Sequence, residues 1–216
     1  MDTSVDAQMY DVDLFNTSPD VVGVLHAQGR RVVCYVSAGT HEDWRPDAAD
    51  FAGTLVGNTL EDWPGEHWLD IRQLQAIAPV MQRRLDLCQS KGFDGVEFDN
   101  VDGYANSSGF PLTASDQLTY NKWLADQAHQ RGLSVGLKND LDQVVELVGD
   151  FDWALVEQCF EHQECDRLQP FLQSGKAVFE AEYNRTAASF CARANAMGLS
   201  AIKKNLVLDV ARTSCL

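Results

Sequence analysis

The chain has 216 residues, a net charge of −15 and 45% hydrophobic residues, so it is large enough for one sizeable core and is expected to form a single domain over residues 1–216. The acidic balance argues against a nucleic-acid partner, because a phosphate backbone is bound by clustered Lys and Arg. No apolar run approaches the roughly 20 residues of a membrane span, and residues 1–9 have neither the basic start nor the apolar centre of a signal peptide.

Predicted strands and helices alternate along the chain. In the first half, strands are predicted at residues 10–15, 32–37 and within 92–102, helices at 20–28 and 71–88, and a long irregular insertion at 40–70. In the second half, strands are predicted at 134–139, 153–158, 177–182 and 199–205, and helices at 115–131, 140–149, 164–174 and 185–197. Gly closes nearly every helix, and the repeat predicts a β/α architecture with seven strands.

Polar residues gather at the carboxyl ends of the predicted strands. They are Asp13, Ser37, Asp99, Asn100, Lys138, Asn139, Glu157, Glu182 and Lys203. In a (β/α)8 TIM barrel the active site lies on that face, so the pattern favours this α/β barrel as the fold class. An open, doubly wound sheet is the alternative, but no Gly-rich phosphate-binding loop follows the first strand.

The most acidic strand end lies within residues 92–102. It carries Asp94, Glu97, Asp99 and Asp102, with the amide of Asn100 among them. Alternate residues of a strand share a face, so Glu97 and Asp99 point the same way. Carboxylates at the end of an apolar strand are costly to bury without a purpose. A functional site is one interpretation, and a helix cap with salt bridges is the other.

The insertion at residues 40–70 is rich in aromatic side chains. Three of the five tryptophans of the chain, Trp44, Trp63 and Trp68, fall within it. Long loops in compact domains are usually lids or binding loops. These rings are therefore expected either to stack on a ligand or to pack the insertion onto the rest of the domain.

The chain has six cysteines and no Cys-x-x-Cys pair. Cys34 and Cys88 lie in apolar stretches and are expected to be buried free thiols. The other four, Cys159, Cys165, Cys191 and Cys215, lie in the last third, where disulfides could tie down a loop or the tail. This usage favours an oxidising, extracellular setting.

Five motifs occur together and in order. They are VCYVSAG at residues 33–39, DWRPD at 43–47, WLDIR at 68–72, GVEFDNVD at 95–102 and EQCF at 157–160. From about Asp11 to its end, the chain resembles glycoside hydrolase family 114, the endo-α-1,4-polygalactosaminidase family. The resemblance implies a TIM barrel that hydrolyses α-1,4-linked galactosamine polymers. Members of the family usually open with a tryptophan-bearing first strand, so we expect this chain to lack the first strand of the barrel.

Glycosidase chemistry needs two carboxyl groups flanking the scissile bond. The resemblance implies that Asp99 and Glu157 are this pair. We assign Asp99 as nucleophile and Glu157 as general acid/base, and the two roles could be exchanged. The structural alternative is that both are salt-bridged to Lys138 and Lys203. The expected substrate-binding residues are Asp13, Tyr35, Trp44, Glu97, Asn100, Asp102, Lys138, Asn139, Glu182 and Lys203.

We expect a secreted monomer whose partner is a cationic amino-sugar polysaccharide, with no cofactor, no metal and no membrane association. The acidic protein would steer such a polymer by its field. Two other functions remain open. One is a metal-dependent or Schiff-base barrel enzyme, with Glu97, Asp99 and Glu182 as magnesium ligands or Lys138 as the amine. The other is a catalytically inactive carbohydrate-binding barrel.

Overall fold

A computed structural model of the chain describes residues 2–215, which form two compact units. The N-terminal unit spans residues 7–135, and the C-terminal unit consists of residues 136–215 together with residues 2–6. The boundary falls inside one strand, Ser134–Lys138. Among residues 2–215, no helix combines the length and the apolar run that crossing a bilayer requires.

The N-terminal unit alternates parallel strands with helices, as predicted. Its elements are β1 (Met9–Asp13), α1 (Pro19–Ala27), β2 (Arg31–Ser37), β3 (Thr40–Glu42), β4 (Val56–Thr59), β5 (Glu66–Leu69), α2 (Leu74–Lys91), β6 (Gly95–Asp99), α3 (Ala114–His129) and the start of β7 (Ser134–Lys138). β1 pairs with β2, and β2 with β6, all in parallel. α3 begins at a reciprocal cap between Thr113 and Asp116, which satisfies backbone donors of its first turn.

The prediction of free thiols at Cys34 and Cys88 was wrong. Cys34 lies in β2 and Cys88 in α2, both side chains are fully buried, and the two sulfurs form a disulfide. A strand and the helix that covers it bring the residues together across a sequence separation of 54. The apolar surroundings from which the sequence analysis inferred free thiols suit a buried disulfide equally well.

The prediction of an irregular insertion at residues 40–70 was also wrong. β3 and β4 each pair antiparallel with β5 and form a small three-stranded sheet. Strands of three or four residues are too short to show the alternation of apolar and polar residues by which strands are recognised.

Two arginines with buried side chains tie the insertion to the rest of the N-terminal unit. Arg84 of α2 makes a two-pronged ion pair with Asp47 and donates to the backbone oxygen of Ser37, at the end of β2. Arg45, within the insertion, pairs with Glu42 and with Asp13 at the end of β1. The guanidinium forks match the carboxylates in geometry and charge, so the insertion is held against the carboxyl ends of β1 and β2.

The C-terminal unit continues the alternation. Its elements are the rest of β7, α4 (Val144–Leu147), β8 (Trp153–Glu157), α5 (Gln169–Gln173), β9 (Val178–Glu182), α6 (Ala187–Met197), β10 (Ser200–Lys204) and β11 (Arg212–Ser214). β7, β8, β9 and β10 pair in parallel in that order, and β11 adds an antiparallel strand that was not predicted. The helix predicted at 164–174 is shorter than expected, because a 3-10 turn at Cys165–Leu168 precedes α5.

Two disulfides lie in the C-terminal unit, in agreement with the expectation that bridges tie down a loop and the tail. Cys159–Cys165 closes the loop after β8, and Cys191–Cys215 joins α6 to the residue after β11. Closing such loops restricts the unfolded chain and thereby stabilises the folded one. All six cysteines are thus paired.

Candidate active site

Three strands, β6, β7 and β8, end in the same unusual way. Each finishes on a charged residue and is followed by a residue other than glycine in the left-handed region. The terminal residues are Asp99, Lys138 and Glu157, followed by Asn100 (φ 60°), Asn139 (φ 48°) and Gln158 (φ 57°). Such backbone is strained for residues with a Cβ and persists where its surroundings hold it, often at functional sites.

Asp99 is held by both its side chain and its backbone. Its Oδ2 accepts a hydrogen bond of 2.8 Å from the hydroxyl of Tyr35, on the adjacent strand β2. Its backbone oxygen accepts from the amides of Ala38, at 3.0 Å, and Gly39, at 3.2 Å. Asp99 remains half-buried, so this carboxylate is oriented without being sealed from solvent.

The side chain of Asn100 is the centre of a buried polar cluster. Its Nδ2 donates to Ser37 Oγ at 3.0 Å and to Glu66 Oε1 at 2.9 Å, and it lies 3.3 Å from Thr40 Oγ1. A Cβ at position 39 would lie 1.6 Å from the backbone oxygen of Asn100, so only glycine fits at Gly39. β6 and the turn after β2 are therefore closely packed at Asp99 and Asn100.

Glu66 contributes a buried carboxyl group to this cluster from β5. Burial raises its pKa, and the negative charges of Glu42 and Asp99 add to the shift, while hydrogen bonds from Thr40 and Ser37 oppose it. Glu66 was not among the predicted site residues, because it lies in the insertion that was predicted to be irregular.

In the C-terminal unit, three side chains surround Glu157. The ammonium of Lys138 lies 3.2 Å from Glu157 Oε2, and the hydroxyl of Tyr183 donates to Oε1. The backbone amide of Glu157 donates to Asn139 Oδ1 at 3.0 Å. The structural alternative predicted salt bridges to Lys138 and Lys203. The salt bridge between Glu157 and Lys138 is present, whereas Lys203 donates to the backbone oxygens of Tyr183 and Lys204.

Tyr183 was missed by the sequence analysis. It directly follows Glu182, the last residue of β9. Its position next to a strand end is the feature of the sequence that could have marked it as a candidate site residue. Its hydrogen bond to Glu157 depends on the parallel pairing of β8 with β9.

A pair of buried acids on β9 lies behind the loop that follows Glu157. Glu182 is fully buried, and its Oε1 accepts from the backbone amides of Phe160, at 2.8 Å, and Glu161, at 3.1 Å. Glu180, two residues earlier, is 1% exposed. Burial, together with the charge of Glu182, raises the pKa of Glu180 to about 9, so Glu180 is a neutral acid at pH 7.

The remaining predicted residues differ in their surroundings. Asp13 pairs with Arg45 and accepts from the backbone amides of Phe15 and Asn16. Glu97 is buried one layer below Asp99. Trp44 is 51% exposed, so its ring is accessible to a ligand.

Two further residues of the sequence analysis have mainly structural surroundings. Asp102 is half-buried, and its backbone oxygen accepts from Asn106. Trp68 is buried, and its ring packs close to Gly103. Between residues 2 and 215, no set of three or more His, Cys, Asp or Glu side chains is arranged to hold a metal ion.

Comparison with known proteins identifies the class. Residues 1–216 match the family model described as glycoside-hydrolase family GH114. The crystal structure of Aspergillus fumigatus Ega3 in complex with galactosamine is 40% identical, with a TM-score of 0.95, and the match covers 100% of this chain and 90% of that one. The glycoside hydrolase domain of PelA from Pseudomonas aeruginosa is 16% identical, with a TM-score of 0.73 over 97% of this chain and 91% of that one, and shares the fold.

An uncharacterized protein of Deinococcus radiodurans is 27% identical over 202 residues, which are 80% of this chain. The chain spans 63% of the length of that relative. The likeness to Ega3 confirms the predicted (β/α)8 fold class, in which active sites lie at the carboxyl ends of the strands. The chain belongs to glycoside hydrolase family 114.

Proposed function

We propose that the protein is an endo-acting glycosidase that cleaves internal α-1,4 linkages in galactosamine-containing polysaccharide. The observation that carries this proposal is the 40% identity, over the whole chain, to Ega3, whose crystal structure is a complex with galactosamine. Membership of the family supports the reaction class, and the galactosamine complex supports the sugar.

Asp99 and Glu157 are the proposed catalytic pair. Each is the last residue of a parallel strand, each is half-buried, and each accepts a hydrogen bond from a tyrosine hydroxyl. In barrel enzymes, residues at the carboxyl ends of strands carry the chemistry. A tyrosine that donates to a carboxylate holds it in one orientation, which lowers the entropy cost of reaching the reactive geometry.

Asp99 is the proposed nucleophile, and Glu157 the proposed general acid/base. In the first step, the carboxylate of Asp99 attacks the anomeric carbon while Glu157 transfers its proton to the leaving oxygen. The carboxylate left on Glu157 is stabilised by the ammonium of Lys138, 3.2 Å away, and by the hydroxyl of Tyr183. In the second step, Glu157 takes a proton from a water molecule as the water oxygen bonds to the anomeric carbon. The bond between that carbon and Asp99 breaks, which releases the sugar and regenerates the Asp99 carboxylate.

The substrate amine is not acetylated, so no acetamido oxygen is present to act as an internal nucleophile. This supports a protein carboxylate in that role if the reaction retains configuration. A carboxyl separation of roughly 5–5.5 Å predicts retention, and one of roughly 6.5–9.5 Å predicts inversion. Product stereochemistry measured by proton NMR during hydrolysis decides between them.

We further propose that the substrate is cationic, and that the protein acts as a secreted monomer. The net charge of −15 favours a polymer of ammonium groups. The exposed ring of Trp44 offers an apolar face for a sugar. Three disulfides are consistent with an extracellular setting.

The test is incubation with de-N-acetylated galactosamine polymer, followed by measurement of new reducing ends and of product lengths. The wild type is expected to release oligosaccharides. Glu157→Gln should lose about 10²- to 10⁴-fold in kcat, and Asp99→Asn should lose at least as much, because it removes the nucleophile. Glu146→Gln and Asp20→Asn are matched controls, since both are exposed acids on helices. Polymer binding without new reducing ends would instead select the inactive carbohydrate-binding protein.

A further inference from the structure

Glu66 is a buried carboxyl group that the two-carboxylate mechanism does not use. It is the first residue of β5 and pairs in register with Glu42 of β3, so it belongs to the small sheet of the insertion. Only 5% of it is exposed. A buried carboxyl group is costly unless hydrogen bonds compensate for the lost water, so its partners indicate why it is retained.

The partners of Glu66 converge on a single oxygen. Oε1 accepts from Asn100 Nδ2 at 2.9 Å and from Thr40 Oγ1, and it lies 3.4 Å from Ser37 Oγ. Hydrogen bonds to a carboxylate are about twice as strong as those between neutral groups. The amide of Asn100 is thereby fixed from the side of the insertion.

The backbone of Asn100 lies in the left-handed region, at φ 60°, which Asn adopts more readily than most residues with a Cβ, and contacts on two sides hold it there. On the backbone side, the amides of Ala38 and Gly39 both donate to the oxygen of Asp99, and the hydroxyl of Tyr120 holds the oxygen of Ala38 at 2.7 Å. The side chain of Asn100 is held by its hydrogen bonds to Ser37 and Glu66. An unfavourable backbone conformation persists when several contacts from its surroundings hold it in place.

The Asn100 amide also borders the carboxylate of Asp99. Its Nδ2 lies 3.5 Å from Asp99 Oδ2, the oxygen that accepts from Tyr35. The direction of this carboxylate is therefore set by the Tyr35 hydroxyl on one side and by the anchored Asn100 on the other. A displacement of Asn100 therefore changes the surroundings of the carboxylate that is proposed to attack the sugar.

We propose that Glu66 is a positioning residue of the active site, which orients Asp99 by holding the side chain of Asn100 in place. The insertion at residues 40–70 thus completes the surroundings of the nucleophile in addition to presenting aromatic rings. This inference rests on the proposed role of Asp99. The contribution of the Asp99 charge to the raised pKa of Glu66 is consistent with close coupling of the two carboxyl groups.

The test compares Glu66→Gln with Glu66→Met. Gln keeps an acceptor oxygen for the Asn100 amide and the Thr40 hydroxyl, whereas Met has a similar length but only a weak sulfur acceptor. We expect Glu66→Met to lower kcat on galactosamine polymer about 100-fold with KM changed less than about 3-fold, because misplacement by about 1 Å costs this much. Glu66→Gln is expected to stay within about 5-fold of the wild type, since it restores the acceptor.

Matched controls are Glu61→Gln and Glu61→Met, which make the same changes at an exposed residue of the same insertion. Both are expected to keep wild-type kcat. Thermal unfolding of every variant, read by circular dichroism, restricts the kinetic comparison to folded protein. Crystal structures of both Glu66 variants supply a readout that does not depend on activity.

In those structures, the Asn100 amide is expected to keep its place in Glu66→Gln and to move in Glu66→Met. An unmoved Asn100 in Glu66→Met would overturn the inference, and so would equal losses of kcat in the two variants. If the wild type itself releases no oligosaccharide, the proposed function fails, while the position of Asn100 still decides whether Glu66 holds it.

Discussion

Replacing Glu180 by Gln is expected to stabilise the protein at neutral pH and above. Glu180 is buried, and its pKa is raised from 4.5 to about 9. The folded protein therefore retains a proton that the unfolded chain releases above about pH 4.5. A carboxamide has nearly the shape of the protonated acid and has no proton to retain, so Glu180→Gln removes this penalty.

The magnitude follows from proton linkage. Between the two pKa values, each pH unit costs the folded wild type about 1.4 kcal/mol. The substitution should thus add about 3 kcal/mol at pH 7, about 5 kcal/mol at pH 8 and less than about 1 kcal/mol at pH 5. For a chain of this size, 3 kcal/mol corresponds to a rise in melting temperature of roughly 6–12 °C.

The assay is urea unfolding of wild type and Glu180→Gln at several pH values from 5 to 8.5, with Glu146→Gln as an exposed control. The difference in unfolding free energy between Glu180→Gln and wild type isolates the contribution of one group. It should widen steadily as the pH rises, because only the wild type carries the penalty of keeping Glu180 protonated, while all other titrating groups are common to both proteins. A constant difference across this range would refute the conclusion that Glu180 is neutral in the folded protein.

Four further outcomes are expected. Tyr183→Phe should lower kcat, measured by reducing-end release, about 10- to 100-fold with little change in melting temperature, because Glu157 loses the hydrogen bond to Oε1. Arg84→Met should cost about 3–5 kcal/mol in urea unfolding, since Asp47 loses its buried partner, and adding Asp47→Asn should recover part of the loss. Replacing Cys34 and Cys88 together by Ala should cost about 2–4 kcal/mol by the same assay. Hydrolysis of the polymer should slow as ionic strength rises, whereas salt independence would exclude electrostatic steering.

Local pattern was sufficient for the order of the elements and for the position of the acids. The strand Trp153–Glu157 is a run of apolar residues ended by one acid, and α2 follows an apolar stripe closed by Gly92 in the left-handed conformation. These features depend on neighbours a few residues apart, so they can be read along the chain. The linked motifs identified the family, which the full-length family match confirms.

The short strands of the insertion and the pairing of Cys34 with Cys88 depended on contacts between distant segments. Three-residue strands are stable only in the sheet that they form together. A disulfide requires a Cα–Cα distance, here 6.2 Å, which spacing along the chain does not encode. The same apolar surroundings accommodate a thiol or a disulfide.

What the sequence determined by itself is the succession of strands and helices and the two carboxylates at strand ends, since both follow from local periodicity. Only the tertiary structure decided which side chains hold those carboxylates. Tyr183 reaches Glu157 across 26 residues, and Glu66 reaches Asn100 across 34. Such hydrogen bonds form because strand pairing and a close approach at Gly39 bring the donors within about 3 Å of their acceptors.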